Sequence, residues 1–250
     1  MGHDDTIFFT SFMTSADQTY AFLTPNPELP RGSLTNHVTQ QLRRAIIGMR
    51  LRPGTMIDKA EICARLGVSR SPVATAFARL EGEGLLEIIP QRGTMVSYVS
   101  FDAVREYVFI RKALEGEIVR ALASAHEPGL LDRLHANIAQ QEACTEPEDR
   151  ERYDRHDLQF HRMLTDALGF RRLQAMVDSA RGHLDRMRRM TNSSLRMRES
   201  IGEHLAIIKA IAKGDGQGAA TVMHAHLDSI ITEMQGLRHK HPDLFDDRKR

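Results

Sequence analysis

Residues 53–93 read PGTMIDKAEICARLGVSRSPVATAFARLEGEGLLEIIPQRG, and helix caps alternate with turn residues along this run. Asp58, with a glutamate three residues later, forms a capping box that marks the first turn of a helix. Gly67 is the usual C-terminal stop of such a helix, and Gly84 ends a second helix in the same way. The run therefore predicts two short helices separated by a tight turn.

A helix before this run and a hairpin at its end complete the pattern. Apolar residues at helical spacing over residues 34–49 predict the earlier helix. A β-like run over 85–89, a turn over 90–93 and a β-like return over 94–99 predict the hairpin. Three short helices followed by a hairpin are typical of a winged helix-turn-helix, which we expect over residues 31–99.

This arrangement predicts contacts with DNA. The third helix is narrow enough to enter a major groove, where base edges are distinguishable. Its start, for which two serines are suitable N-caps, carries the candidate base-reading residues Ser69, Arg70, Ser71 and Thr75. An arginine on a tight turn can enter a minor groove, and the hairpin tip carries Arg92 and Gly93. Candidate phosphate contacts, which position a protein without reading sequence, are Arg43, Arg44, Arg50 and Arg52.

Charge is unevenly distributed along the chain. The 250 residues carry a net charge of +1, but residues 31–100 hold ten basic and five acidic side chains. A basic first module beside a mildly acidic remainder indicates a polyanionic partner for the first module only. No apolar run reaches the roughly 18 residues of a membrane span, and we expect neither a secretory leader nor a disulfide framework, since the chain has two cysteines. We therefore expect a cytoplasmic protein without a membrane partner.

The rest of the chain reads as successive helices. Their predicted spans are 101–125, 128–143, 148–168, 170–191, 196–213 and 216–238. We expect an all-helical bundle of six to seven helices over residues 100–245, so the fold class is mainly α. Residues 1–30 lack clean periodicity and end in several prolines, and we expect a flexible N-terminal arm there.

Four polar side chains stand where apolar ones belong on these helices. Asp157 and His161 are four residues apart and share one helix face, while His204 and His226 each share a face with isoleucines. Imidazole and carboxylate ligands suit Zn, Ni, Mn or Fe and leave coordination positions open. The pattern predicts one divalent metal ion per chain. The alternative is that each inward histidine is a hydrogen-bonded core residue, since the chain has 12 histidines.

Arg111 lies on the inward face of the first helix of this module. A buried guanidinium needs an anion, because an unpaired buried charge is costly. Glu115, one turn on, can serve as a structural ion partner; alternatively, Arg111 holds the carboxylate of an effector. Arg186 and Arg189 are further effector-binding candidates, although a solvated basic face explains them equally well.

The first module resembles a known family. Pro53-Gly54, LGVSRSPV over 66–73, LEGEGL over 80–85 and PQRG over 90–93 are similar to the N-terminal domain of GntR-family transcription regulators. The resemblance implies that Arg70 contacts DNA and that Arg92 is at the wing tip. Family members often have an arginine that reads a base where this sequence has Ala74. Either the operator differs from the common one, or another residue substitutes.

The second module resembles the all-helical effector domain, called FCD, of the FadR-like GntR subfamily. The similarity rests on Asp157-x-x-Phe160-His161, the run from Glu203 to Asp215, and Met223-x-x-His226-Leu227. In metal-binding members the matching aspartate and three histidines hold one divalent ion, and many members bind small organic acids there. The resemblance implies a ligand-responsive regulator, commonly a repressor, that binds double-stranded operator DNA as a homodimer.

Two other function classes, an enzyme and a structural DNA-binding protein, are alternatives to a ligand-responsive regulator. A metal-dependent hydrolase with a nucleic-acid-binding appendage would use the metal to activate water. The sequence shows no reactive general base, nucleophile signature or phosphate loop, so we do not expect an enzyme. A structural DNA-binding protein without a ligand would keep the histidine cluster as part of its core.

Overall fold

The computed structural model describes residues 19–26, 28–30, 33–190 and 194–245. The chain divides into two compact units, Met1–Ser97 and Tyr98–Arg250. The first is a winged helix-turn-helix and the second is a helical bundle, which confirms the predicted fold class. None of the helices in the described ranges has the length and apolar character that a bilayer crossing requires.

In the residues that the structure describes, the first unit has three helices from residue 34 onward and a small sheet. The elements are α1 (Leu34–Ile47), β1 (Met56–Ile57), α2 (Lys59–Leu66), α3 (Arg70–Gly82), β2 (Leu86–Ile89) and β3 (Gly93–Val96). The antiparallel sheet has the order β1-β3-β2, with Met56 opposite Met95 and Ile89 opposite Gly93. The wing is therefore the β2–β3 hairpin, and the short β1 extends it on the other side of β3.

Capping residues define the ends of α2 and the start of α3. The Asp58 side chain accepts hydrogen bonds from the backbone N–H groups of Ala60 (2.8 Å) and Glu61 (3.0 Å). Gly67 ends α2 with φ of 64°, a left-handed conformation that glycine adopts without steric cost. Ser69 is the N-cap residue of α3. The two helices consequently begin and end where the sequence predicts.

Part of the segment predicted as a flexible arm belongs to the packed first unit. Tyr20 and Leu23 are 2% and 6% exposed and lie in the core with α1 and α3. The backbone N–H of Asp58 donates to the Tyr20 hydroxyl (2.8 Å), and that of Thr24 donates to Gln41 Oε1 (2.8 Å). The prediction of an arm is thus wrong for these residues, while residues 1–18 lie outside the described ranges.

Among its described residues, the second unit has six α-helices, and they lie close to the predicted spans. They are α4 (Phe101–Ser124), α5 (Leu130–Glu142), α6 (Arg150–Asp166), α7 (Arg171–Met190), α8 (Ser194–Ala212) and α9 (Gly216–Lys240). Helix α4 packs against α7 and α9, and α8 packs against α5 and α9. Gly116 allows the close approach of α9, because a Cβ there would overlap the His224 ring. The core of the bundle lies between these helices, and it encloses Asp157, His161, His204 and His226.

Candidate metal centre and DNA-binding surface

The four predicted metal ligands converge inside the bundle. Asp157 and His161 come from α6, His204 from α8 and His226 from α9, and none is more than 1% exposed. One ligand atom from each residue lies within 4.8 Å of all the others. Three helices therefore bring one carboxylate and three imidazoles to a single buried point.

The distances between these atoms suit a shared cation. His204 Nε2 lies 3.4 Å from Asp157 Oδ1, and His161 Nε2 lies 4.0 Å from the same oxygen. His226 Nε2 is 3.3 Å from His161 Nε2. Ligand atoms that are each about 2.0–2.2 Å from one ion lie about 3–3.5 Å apart. The cluster is close to that spacing.

The hydrogen bonding of the cluster also fits a cation at its centre. Asp157 Oδ1 and His204 Nε2 are buried and have no hydrogen-bond partner among the described residues, although buried polar atoms are nearly always paired. Acceptor atoms that face one another at about 3.4 Å repel unless a positive charge lies between them. The residues present thus fit a divalent metal ion.

A second set of side chains orients the three imidazoles. His161 Nδ1–H donates to Glu115 Oε2 (2.5 Å), His204 Nδ1–H donates to Gln141 Oε1 (2.9 Å), and His226 Nδ1–H donates to Glu203 Oε2 (2.7 Å). These bonds leave each Nε2 lone pair directed at the centre. Such outer partners fix the tautomer and ring orientation of metal-ligating histidines.

The histidines are neutral near pH 7. Burial lowers the pKa of His161 and of His226 to about 4, against the opposing influence of Glu115 and Glu203 respectively. Burial also lowers the pKa of His204 well below its usual value. Neutral imidazole is the form that binds metals, so the centre is ready to bind an ion at neutral pH.

The two carboxylate oxygens of Asp157 have different neighbours. Oδ1 faces the histidines, whereas Oδ2 accepts hydrogen bonds from Arg181 and from Arg188 Nη1 (2.6 Å). Burial raises the pKa of Asp157, but the two guanidiniums outweigh burial and hold that pKa well below its usual range. The carboxylate is therefore ionised and held in place.

Arg111 forms the ion pair that the sequence left as one of two possibilities. It is 1% exposed, and its Nε donates to Glu115 Oε1 (2.5 Å). Glu115 also accepts a hydrogen bond from His161, so Arg111 supports this predicted metal ligand through Glu115. Arg186 is 4% exposed, which excludes the solvated-face interpretation for it, and burial lowers its pKa to about 10. The Arg189 side chain lies outside the described part of the structure.

Sequence reasoning missed several members of this site. Glu203 precedes His204 in the chain, and its carboxylate accepts a hydrogen bond from His226 Nδ1 on α9. Arg181 and Arg188 are seven residues apart on α7 and so share a face with the buried Val177 and Leu184. That spacing was visible in the sequence and could have indicated an inward pair of arginines.

The predicted DNA-binding residues of the first unit are mostly exposed. Ser69, Arg70, Ser71 and Thr75 lie at the start of α3, and their side chains face solvent. Arg92 and Gly93 are exposed at the wing turn, which the Arg92 N–H closes on the Ile89 carbonyl (3.1 Å). Arg44 and Arg50 are exposed as well. The structure therefore presents these groups on the surface of the winged domain.

Arg43 differs from the other predicted phosphate contacts. Its Nε donates to Glu83 Oε2 (2.8 Å), and a second short bond joins the same two side chains. Glu83 follows the C-terminal end of α3, about 20 Å along the helix axis from Arg70. The Arg43 charge is thus neutralised far from the end of α3 that carries the base-reading candidates.

Both units match a known family over most of their length. Residues 34–96 match the bacterial regulatory proteins of the gntR family, and residues 106–229 match the FCD domain. The HTH-type transcriptional repressor RspR of Escherichia coli K12 is 31% identical over 221 residues, covering 88% of this chain and 96% of RspR. The chain belongs to the GntR family of transcription regulators. It is a DNA-binding transcription regulator, as its sequence predicts.

Further relatives agree with this assignment. An HTH-type transcriptional regulator in an unstable DNA locus of Streptomyces ambofaciens is 31% identical over 206 residues, covering 82% of this GntR-family chain and 86% of the relative. The solved structure of E. coli McbR/YncC has a TM-score of 0.64 at 20% identity, covering 84% of this chain and 99% of that one. The structural likeness shows a shared fold, and the sequence relatives are regulators rather than enzymes.

Proposed function

We propose that the protein is a transcriptional repressor whose operator affinity is controlled by a small organic anion bound beside a divalent metal ion. The observation that carries this proposal is the buried cluster of four ligand atoms within 4.8 Å of one another. Its relative RspR is named as a transcriptional repressor, which supports repression rather than activation. The hydrolase alternative gains no support from the relatives.

One divalent ion per chain would be held by Asp157 Oδ1 and by the Nε2 atoms of His161, His204 and His226. Three nitrogens and one oxygen suit Zn, Ni, Mn or Fe. Four protein ligands leave positions open in an octahedral shell, and a bound ion supplies positive charge that attracts carboxylate oxygens. The metal would thus form one side of an effector site.

Buried arginines beside the cluster would form the other side. Arg181 is 2% exposed, and its Nη1 is buried without a hydrogen-bond partner among the described residues. The guanidiniums of Arg181 and Arg188 share the carboxylate of Asp157, and Arg181 Nε also lies 3.7 Å from Asp185 Oδ1. A buried guanidinium nitrogen without an acceptor, such as Arg181 Nη1, favours an anionic ligand. We therefore assign the anchoring of the effector carboxylate first to Arg181.

The arginines predicted from the sequence take different parts in this proposal. Arg111 directs its Nε to Glu115, so we assign it to positioning His161 rather than to the effector. Arg186 is buried on the same helix as Arg181 and remains a second candidate for effector binding. The proposed site is therefore centred on α7 rather than on α4.

Control of DNA binding requires that the effector distinguishes two states of the protein. A homodimer would place two winged domains on a pseudo-palindromic operator. An effector that binds one state more tightly shifts the population toward it, with a typical coupling of about 1–3 kcal/mol. Release from operator DNA would follow when the favoured state has the lower DNA affinity.

The test measures DNA affinity in the presence of defined acids. A duplex enriched from a random library by the metal-loaded protein would be titrated with lactate, succinate and citrate in turn. We expect at least one acid to weaken DNA binding by about 5- to 150-fold, and this effect to be lost in Arg181→Ala. Arg172→Ala, which removes an exposed arginine from the same helix, should keep it. No response of the metal-loaded protein to any anion, or an equal response of both variants, would contradict the proposal.

A further inference from the structure

The exposed face of the recognition helix has an unusual chemistry. Along α3, residues 73, 76, 77 and 80 are buried. The side chains that face solvent on the opposite stripe are Arg70, Ser71, Ala74, Thr75 and Ala78. The spacing of four residues places Arg70, Ala74 and Ala78 on one line along the helix. This stripe is the part of the winged domain that can enter the major groove.

Within this stripe, Arg70 is the one long side chain with hydrogen-bond donors. Ala74 and Ala78 present methyl groups. The Thr75 hydroxyl donates to the Ser71 carbonyl oxygen (3.1 Å), so the γ-methyl is the group that Thr75 presents to a ligand. The neighbouring Arg79 donates to Asn36 Oδ1 on α1 (2.5 Å), which holds it away from the stripe. Beyond its first turn, α3 therefore offers methyl groups rather than donors to the bases.

The major groove displays one apolar feature that such a surface can recognise. Thymine carries a C5-methyl group there, whereas guanine offers two acceptors that suit an arginine. We propose that Ala74 and Thr75 select T·A pairs by contacting thymine methyl groups. The selected pair lies beside a guanine that Arg70 reads, and the proposal rests on the proposed function of the first unit, operator binding. Ala78 extends the same methyl surface by one turn.

The helix geometry places the two kinds of contact close together. Arg70 and Ala74 are about 6 Å apart along the helix axis, since each residue rises 1.5 Å. Stacked base pairs are separated by about 3.4 Å. The guanine and the thymine therefore lie within about two base pairs of each other in each half-site.

The experiment uses the full-length protein and DNA in which single methyl groups are removed. Duplexes would be enriched from a random library, and each thymine of the enriched half-site would be replaced by deoxyuridine, which lacks only the C5-methyl. We expect about a fourfold loss of affinity for each contacted methyl, and none for replacements outside the half-site. Unchanged affinity after every replacement would overturn the methyl readout. If no sequence were enriched at all, the proposed function of the first unit would fail as well.

A matched pair of variants assigns the effect to α3. Thr75→Ser removes one methyl and keeps a hydroxyl for Ser71, so the difference between thymine and deoxyuridine should disappear at one position. Thr221→Ser makes the same change on α9, where the Thr221 hydroxyl donates to the Gln217 carbonyl (2.9 Å), and should leave every position unaltered. Melting temperatures would confirm that both variants fold. Identical thymine preferences in both variants would remove Thr75 from the readout.

Discussion

The recognition helix and the candidate metal centre both use side chains that helix periodicity brings to one face, but the two sets differ in burial. Arg70 and its neighbours on α3 face solvent, so their chemistry is independent of the core behind them. Asp157, in contrast, is fully buried and faces two arginines and the three histidines at once. Substitutions on the exposed face should change specificity without affecting folding, whereas substitutions in the buried centre should also change stability.

Among the variants considered, Asp157→Ala should cause the largest loss of stability, because it changes the buried centre. The change leaves the buried Arg181 and Arg188 without their shared carboxylate, and breaking a buried ion pair costs about 3–5 kcal/mol. We expect the free energy of unfolding to fall by that amount in denaturant titrations with a chelator present, so that metal binding does not contribute. Asp166→Ala, at an exposed position of the same helix, should change it by less than about 0.5 kcal/mol. A similar small change for both would show that the centre is not coupled to folding.

Arg70→Ala tests the exposed side. Removing the one long donor of the α3 stripe should weaken binding to an enriched duplex by about 1–3 kcal/mol. The free energy of unfolding should change by less than about 0.5 kcal/mol, because the side chain is exposed, and the metal content should be unaltered. Unchanged DNA affinity would remove Arg70 from the recognition surface. Loss of stability would show that the two regions differ less than the structure indicates.

Gln141→Ala probes the outer shell of the centre without removing a ligand. The variant removes the oxygen that accepts from His204 Nδ1, which frees the imidazole to rotate. Loss of such a partner typically lowers metal affinity by about 10- to 100-fold. Competition with a chromophoric chelator would measure this, with Gln140→Ala, at an exposed position, as the control. Equal affinities in the two variants would show that the orientation of His204 does not depend on Gln141.

The smallest predicted effect is a difference between Arg44 and Arg43 in how strongly each contributes to the salt dependence of DNA binding. Arg44 is exposed, and each phosphate contact contributes about 0.9 to the slope of log affinity against log salt. We expect Arg44→Ala to reduce that slope by about this amount. Arg43→Ala should leave it unchanged, because Arg43 is paired with Glu83. A larger reduction of the slope in Arg43→Ala than in Arg44→Ala would mean that the Arg43–Glu83 ion pair breaks when the protein binds DNA.

The features that sequence predicted well are local ones. Asp58 and Gly67 cap α2 through contacts within four residues, so their roles were readable from the chain itself. The four proposed metal ligands could be identified because polar residues on an apolar helix stripe must face the core. Caps and apolar stripes can both be recognised within a single helix, so the sequence carries them directly.

The features that sequence could not predict depend on other elements. Gln141 reaches His204 from a different helix, and no spacing along the chain reports that contact. Tyr20 lies in a segment without periodicity, yet it packs into the core and accepts a hydrogen bond from the backbone of Asp58. Arg111 had two possible anions, and only the three-dimensional arrangement shows that Glu115 is in contact with it.

Elemental analysis of the purified, tag-free protein tests the metal centre directly. The comparison includes the His161→Ala/His204→Ala double variant and a control, His135→Ala/His239→Ala, which removes two exposed histidines. We predict one divalent ion per chain in the wild type and the control, and loss of that ion in the double variant. A wild-type protein that stays free of metal after addition of Zn, Ni or Mn would contradict the assignment, and so would a double variant that retains the full metal content.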